Sequence, residues 1–186
     1  MPVSSAPTNA LRASQALRWL PWVVAGLLLA LPAIAMRFTD EVDWNAFDFL
    51  VFGLMLAIAC GVNEVACRLS VSLVYRLAAA VAIGTGFLVA WANLAVGIIG
   101  SEDAPVNLAF FGVLAMGLAG AFVVRGRARG MVRVMALMAL AQVGVSVVAW
   151  LAGLGGTPPV AGVFVLGWLV AGWLFLVAGR AAGGEA

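Results

Sequence analysis

The chain reads as six apolar blocks joined by short polar connections: residues 19–36, 47–66, 77–99, 108–124, 133–153 and 160–179. Inside each block apolar residues follow one another without the three-to-four-residue alternation of a helix that keeps one face wet, so every face must meet lipid or protein. Each block is near the roughly 20 residues a helix needs to cross about 30 Å of hydrocarbon. Pro21, Pro32, Gly84, Gly86, Gly112, Gly117, Gly167 and Gly172 fall within the blocks, and membrane helices tolerate these residues better than water-soluble ones do. The pattern therefore predicts an all-α fold, a polytopic transmembrane bundle of six helical spans, of which the fourth is the shortest. Residues 19–180 form the membrane domain, flanked by an amino-terminal tail, 1–18, and a carboxy-terminal tail, 181–186. The first tail is rich in Ser, Pro and Asn and is expected to be disordered.

Composition strengthens this picture and removes several chemistries. Of the 186 residues 65% are hydrophobic and 10% charged, with a mean hydropathy of +1.14, whereas soluble domains carry about 25% charged residues. The absence of histidine excludes histidine-ligated haem, histidine metal sites and Ser-His triads. Cys60 and Cys67 stand seven residues apart in one apolar block, about 10 Å of helical rise, too far for a disulfide. They are expected to act as small buried hydrophobes.

Charge supplies orientation. The chain has a net charge of +2 and no lysine, and its ten basic residues are all arginines beside apolar blocks. Arg12 and Arg18 precede the first block, Arg68 and Arg76 flank the second connection, Arg125, Arg127, Arg129 and Arg133 the fourth, and Arg180 follows the last block. That places nine arginines on one side of a six-span topology and only Arg37 on the other, where Asp40, Glu41, Asp43, Glu102 and Asp103 lie. By the positive-inside rule the arginine side is cytoplasmic, and so are both termini. The arrangement explains the basic balance without nucleic acid. A cleaved signal peptide also begins with arginines before an apolar run and ends in an A-x-A pattern, here Ala33-Ile34-Ala35. Because the run is longer than the usual apolar core of about 7–15 residues, retention of the first span is expected. Two halves of three spans have opposite orientation, but the parity of six produces this automatically, and no internal similarity accompanies it.

The two acidic connections, Phe38-Thr-Asp-Glu-Val-Asp-Trp-Asn45 continuing to Asp48 and Gly100-Ser-Glu-Asp-Ala-Pro-Val-Asn107, each precede a helix. Asn45 with Asp48 three residues on, Asp103 with Pro105 in the first turn, and Thr157 before Pro158 are expected to cap spans two, four and six. Carboxylates there also complement the positive helix ends, as Arg68, Arg125 and Arg180 complement the opposite ends. A second interpretation gathers Asp40, Glu41, Asp43, Asp48, Glu102, Asp103 and Asn107 into one outward-facing cluster for a cation or a basic partner, since carboxylate and amide oxygens suit hard metals. Capping accounts for most of these residues and is the preferred explanation.

Within the spans polar residues are few: Asn63, Glu64, Asn93, Gln142 and Ser146, with Arg68 just beyond Glu64. Such groups rarely face lipid. Glu64 and Arg68 have the i, i+4 spacing of a helical ion pair. Asp48 and Asn93 are expected in the outer part of neighbouring spans, within hydrogen-bonding reach of each other. Gln142 and Ser146, also i, i+4, are expected to join helices rather than line a path. Small residues at four-residue spacing, Ala57 with Gly61, Ala115 with Ala119 and Ala149 with Gly153, permit close packing. Trp19, Trp22, Trp44 and Trp150 fall near span ends, as an aromatic belt requires, while Trp91, Trp168 and Trp173 fall deeper.

The segments Arg37-Phe-Thr-Asp-Glu-Val-Asp-Trp-Asn-Ala-Phe-Asp-Phe and Asn93-Leu-Ala-Val-Gly-Ile-Ile-Gly-Ser-Glu-Asp resemble a group of small multi-pass bacterial inner-membrane proteins with no established activity. The resemblance covers most of the spans and implies a bacterial cytoplasmic membrane, but transfers no catalytic residue. The functional expectation is a non-enzymatic integral membrane protein, an accessory or assembly component, needing no cofactor. Its expected contacts are the lipid bilayer and a protein partner or a second copy of the chain. The alternative is a small transporter or channel for a cation or small solute, using Asp48, Asn93, Gln142 and Glu64.

Overall fold

The computed structural model describes residues 8–100, 103–154 and 158–182, with side chains for 19–100, 103–154 and 161–182. Six α-helices follow in order: α1 Thr8–Ala35, α2 Ala46–Leu69, α3 Leu73–Ala95, α4 Leu108–Val123, α5 Ala128–Leu151 and α6 Pro158–Ala181, with one 3-10 turn, Pro105–Asn107, before α4. No strand occurs among the described residues. Five helical segments are long and apolar enough to cross a membrane, α4 counting together with its 3-10 turn; the apolar part of α1, Trp19–Ala35, is shorter. The chain is thus an all-helical multi-pass membrane fold, as the apolar blocks require.

Three helices begin well before their apolar blocks. α1 reaches back to Thr8, into the segment expected to be a disordered tail, and α3 and α5 begin at Leu73 and Ala128 rather than at 77 and 133. Hydropathy detects the hydrocarbon, whereas a helix continues until its backbone is capped. Ser72 supplies that signal for α3, its hydroxyl accepting from the Tyr75 N–H at 3.5 Å. Arg76 and Arg133 consequently lie inside helices.

The chain divides into two compact units, Met1–Glu64 and Val65–Ala186, with the boundary inside α2. In the first, the Cys60 thiol donates to the Pro21 carbonyl at 3.4 Å, and Leu29 packs beside Gly53, 3.7 Å from where a Cβ would stand.

In the second unit α6 packs against α5 and α3, α5 against α4, and α4 more lightly against α3. The four helices therefore surround one core. The buried residues of α6, Ala161, Phe164, Trp168, Ala171, Phe175 and Ala178, recur every three or four positions and form a stripe, as α-helical periodicity demands. Met131, Met135, Met138, Gln142 and Ala149 form the matching stripe on α5. Contacts fix the antiparallel register: Gly172 beside Met135, Gly179 beside Arg129, Gly167 beside Thr85 and Gly117 beside Met138.

One end of this bundle carries the arginines. There the Tyr75 hydroxyl donates to the Gly126 carbonyl at 2.6 Å and its ring meets Phe175 edge-on at 5.2 Å. Arg76 reaches back to the end of α2, donating to Ser70 O at 3.0 Å and Cys67 O at 3.2 Å. Helices α4 and α5 both end in the hydrogen-bond pattern of a Schellman motif: Gly126 N to Ala121 O with Arg125 N to Phe122 O, and Leu154 N to Ala149 O with Gly153 N to Trp150 O. The left-handed residue is Gly153 in the second, φ 68°, but Arg125 in the first, φ 52°. Gly153 is therefore a helix terminator and not half of a packing pair with Ala149. A methyl added at Gly61 would meet no atom within 4 Å, and Ala57, Ala115 and Ala119 are exposed, so the close approaches fall on other glycines than the four-residue spacings suggested.

Candidate functional site

Helix α2 begins in a capping box. The Asn45 side-chain oxygen accepts from the backbone N–H of Phe47 at 2.7 Å and of Asp48 at 3.3 Å, while Asp48 Oδ2 accepts from the Asn45 N–H at 2.8 Å. Trp44, just before the cap, packs edge-on against Phe49 at 5.2 Å and Phe52 at 5.3 Å. Box and staple together satisfy the first-turn donors and fix the angle at which the chain enters the helix. The expectation for Asn45 and Asp48 is met. Asp40, Glu41 and Asp43 are exposed, and the Thr39 hydroxyl takes the Glu41 N–H at 3.1 Å.

The second acidic connection departs from expectation. Asp103 caps nothing: the 3-10 turn intervenes, with Ala104 at its cap position, and α4 starts only at Leu108 without a side-chain cap. Asn107, expected on the outer surface, is 3% exposed. Its Oδ1 accepts from the backbone N–H of Ile98 at 3.2 Å and Ile99 at 3.0 Å, and its Nδ2 donates to Ile99 O at 3.2 Å. It thus acts as a clip holding the α3–α4 connection onto the bundle. Glu102 and Thr157 lie outside the described residues. We expect Asn45→Ala to cost about 0.5–2 kcal/mol of stability and Asp103→Ala next to nothing, a contrast readable by thermal unfolding in detergent.

Asn63 and Glu64 are half-buried on α2, and Arg68 is exposed in its last turn. Ser146 does not meet the Gln142 side chain; its hydroxyl donates to the Gln142 backbone carbonyl at 2.9 Å, the local bond serine commonly makes on a helix. Asn93 likewise turns its Nδ2 to Val89 O, 2.7 Å away on its own helix.

What remains is a set of buried polar atoms in the α3–α6 bundle. Gln142 is 0% exposed, Trp168 2% and Asn93 3%. Gln142 Nε2 and Oε1, Trp168 Nε1 and Asn93 Oδ1 have no hydrogen-bond partner among the described residues. Trp168 was legible only as a deep aromatic, and its polar edge gave no signal because an indole inside an apolar block does not interrupt hydropathy. Thr85, the other buried polar group of these helices, donates to Val81 O at 2.8 Å and packs on Gly167. Among the described residues no three His, Cys, Asp or Glu side chains come together as metal ligands do.

No protein-family model, curated protein or solved structure matches this chain.

Proposed function

We propose that the chain is a non-enzymatic component of a bacterial inner membrane, with both termini cytoplasmic, which presents its first acidic connection to a basic protein partner as an accessory or assembly factor. The observation that supports this is the division of labour in residues 40–48: Asp48 serves the α2 cap, whereas Asp40, Glu41 and Asp43 stand exposed. Exposed carboxylates of one sign steer and select a partner of opposite charge. The test is affinity purification from native membranes of the wild type and of the triple variant Asp40→Asn, Glu41→Gln, Asp43→Asn. A basic protein that accompanies only the wild type is expected, and an unchanged set of companions would overturn the proposal. Reporter fusions check its orientation, with a cytoplasmic signal expected after Arg129 and a periplasmic one after Asp103. The reverse assignment removes the acidic connection from the periplasm and with it the proposed docking site.

A second reading, passage of a small solute, draws on one observation, the unpartnered Gln142 amide at mid-span.

A further inference from the structure

Gln142 and Trp168 share one level of the α3–α6 core. Met135 faces Gly172 in the antiparallel α5–α6 pair, so seven residues further along α5, Gln142 is level with Val165, three residues or about 4.5 Å of rise from Trp168. The α3–α6 contacts put Thr85 beside Gly167 and Gly86 beside the Trp168 ring, 3.5 Å from a Cβ at that glycine. Gln142 and Trp168 each sit on the buried stripe of their helix, near its middle. Asn93 lies eight residues beyond Thr85, about 12 Å toward the other end of the bundle.

A buried amide or indole N–H without a partner is destabilising, and apolar residues at the same positions would fill this core at no such cost. A carboxamide that offers both donors and an acceptor, one turn from an indole that only donates, matches a guest able to give and take hydrogen bonds. The guest must be small, since Thr85 closes directly on Gly167 and the Trp168 ring on Gly86. It must be uncharged, because none of the buried polar side chains at this level, Thr85 and Gln142, carries a charge to balance an ion at mid-membrane. It is not a protein partner: Gln142 has no exposed surface for one to reach.

We propose that the core of the α3–α6 bundle is a binding site for a small uncharged molecule that both donates and accepts hydrogen bonds, water or a solute of the glycerol and urea class, held between the Gln142 carboxamide and the Trp168 indole N–H. Asn93 Oδ1 offers a further acceptor toward the acidic end. The site requires neither the docking partner nor passage across the membrane, although occupancy by a solute is what a transport role at this amide needs.

The test uses full-length protein in detergent, labelled with 15N-tryptophan. The Trp168 indole resonance is identified by its loss in Trp168→Phe. It is expected downfield, as for a hydrogen-bonded indole, and to show magnetisation transfer from its guest: from water if water occupies the site, from added glycerol or urea if a solute does. Gln142→Met, which keeps the volume and removes the hydrogen-bonding groups, is expected to move this resonance upfield and to lower Tm. An upfield wild-type resonance that Gln142→Met leaves in place, together with a higher Tm for that variant, would mean two merely unpaired groups and would overturn the proposal. So would a downfield resonance with no transfer from water, glycerol or urea, since the two side chains would then bond each other. If Gln142→Met does not fold, the wild-type spectrum still decides. A bound guest in the spectrum with no solute flux in proteoliposomes refutes transport and leaves the site standing.

Discussion

Asn107→Leu is expected to destabilise the protein by about 3 kcal/mol or more, because it removes three buried side-chain hydrogen bonds, to the Ile98 and Ile99 N–H groups and the Ile99 carbonyl, each worth about 1–3 kcal/mol when its partner is lost. Leucine keeps the branched shape and heavy-atom count of asparagine and is no smaller, so the loss is not that of a cavity. Ile98 and Ile99 are 3% and 2% exposed, which leaves water little access to replace the lost bonds. Thermal or denaturant unfolding in detergent measures the effect, and proteolysis within residues 96–104 is expected to rise in parallel, since that connection is what the carboxamide holds. An unfolding midpoint within experimental scatter of the wild type would show that the clip contributes nothing.

Gly167→Ala has the second largest expected effect. A methyl there overlaps the Thr85 side chain, whose hydroxyl is engaged with Val81 O and whose χ1 is stiff, so α3 and α6 must separate. Overpacking of this kind costs about 1–3 kcal/mol. Gly117→Ala is milder, since the atoms it meets belong to the flexible end of Met138, and Gly144→Ala meets nothing within 4 Å and gains helix propensity. The order Gly167, Gly117, Gly144 in loss of Tm is the prediction, and a Gly144→Ala cost equal to that of Gly167→Ala would remove the packing explanation.

These residues also mark where sequence reasoning succeeds. The Asn45–Asp48 box was legible because it is closed within three residues, and the six helices because hydropathy alone determines which segments leave water. Asp103 looked equally good as a cap. It fails because Pro105 initiates a 3-10 turn first, and Asn107, four residues on, is drawn inward by carbonyl and amide groups eight and nine positions back. No local pattern encodes that return. The close contact at Gly167 was equally hidden: among 22 glycines, only the register between α3 and α6 distinguishes the one that a threonine presses upon. Gln142 was recognisable as a polar intruder in an apolar block, but not its isolation, which depends on Ser146 bonding to backbone instead of to its amide.

The turn between α4 and α5 places an arginine where the backbone favours glycine. A side chain in the left-handed region costs roughly 1–2 kcal/mol, and Gly126 follows immediately as proof that glycine is admitted in this turn. Arg125 therefore represents stability forgone at an exposed position. Under the proposed orientation the compensating gain is topological, since each positive charge in a four-residue connection makes translocation of that connection harder.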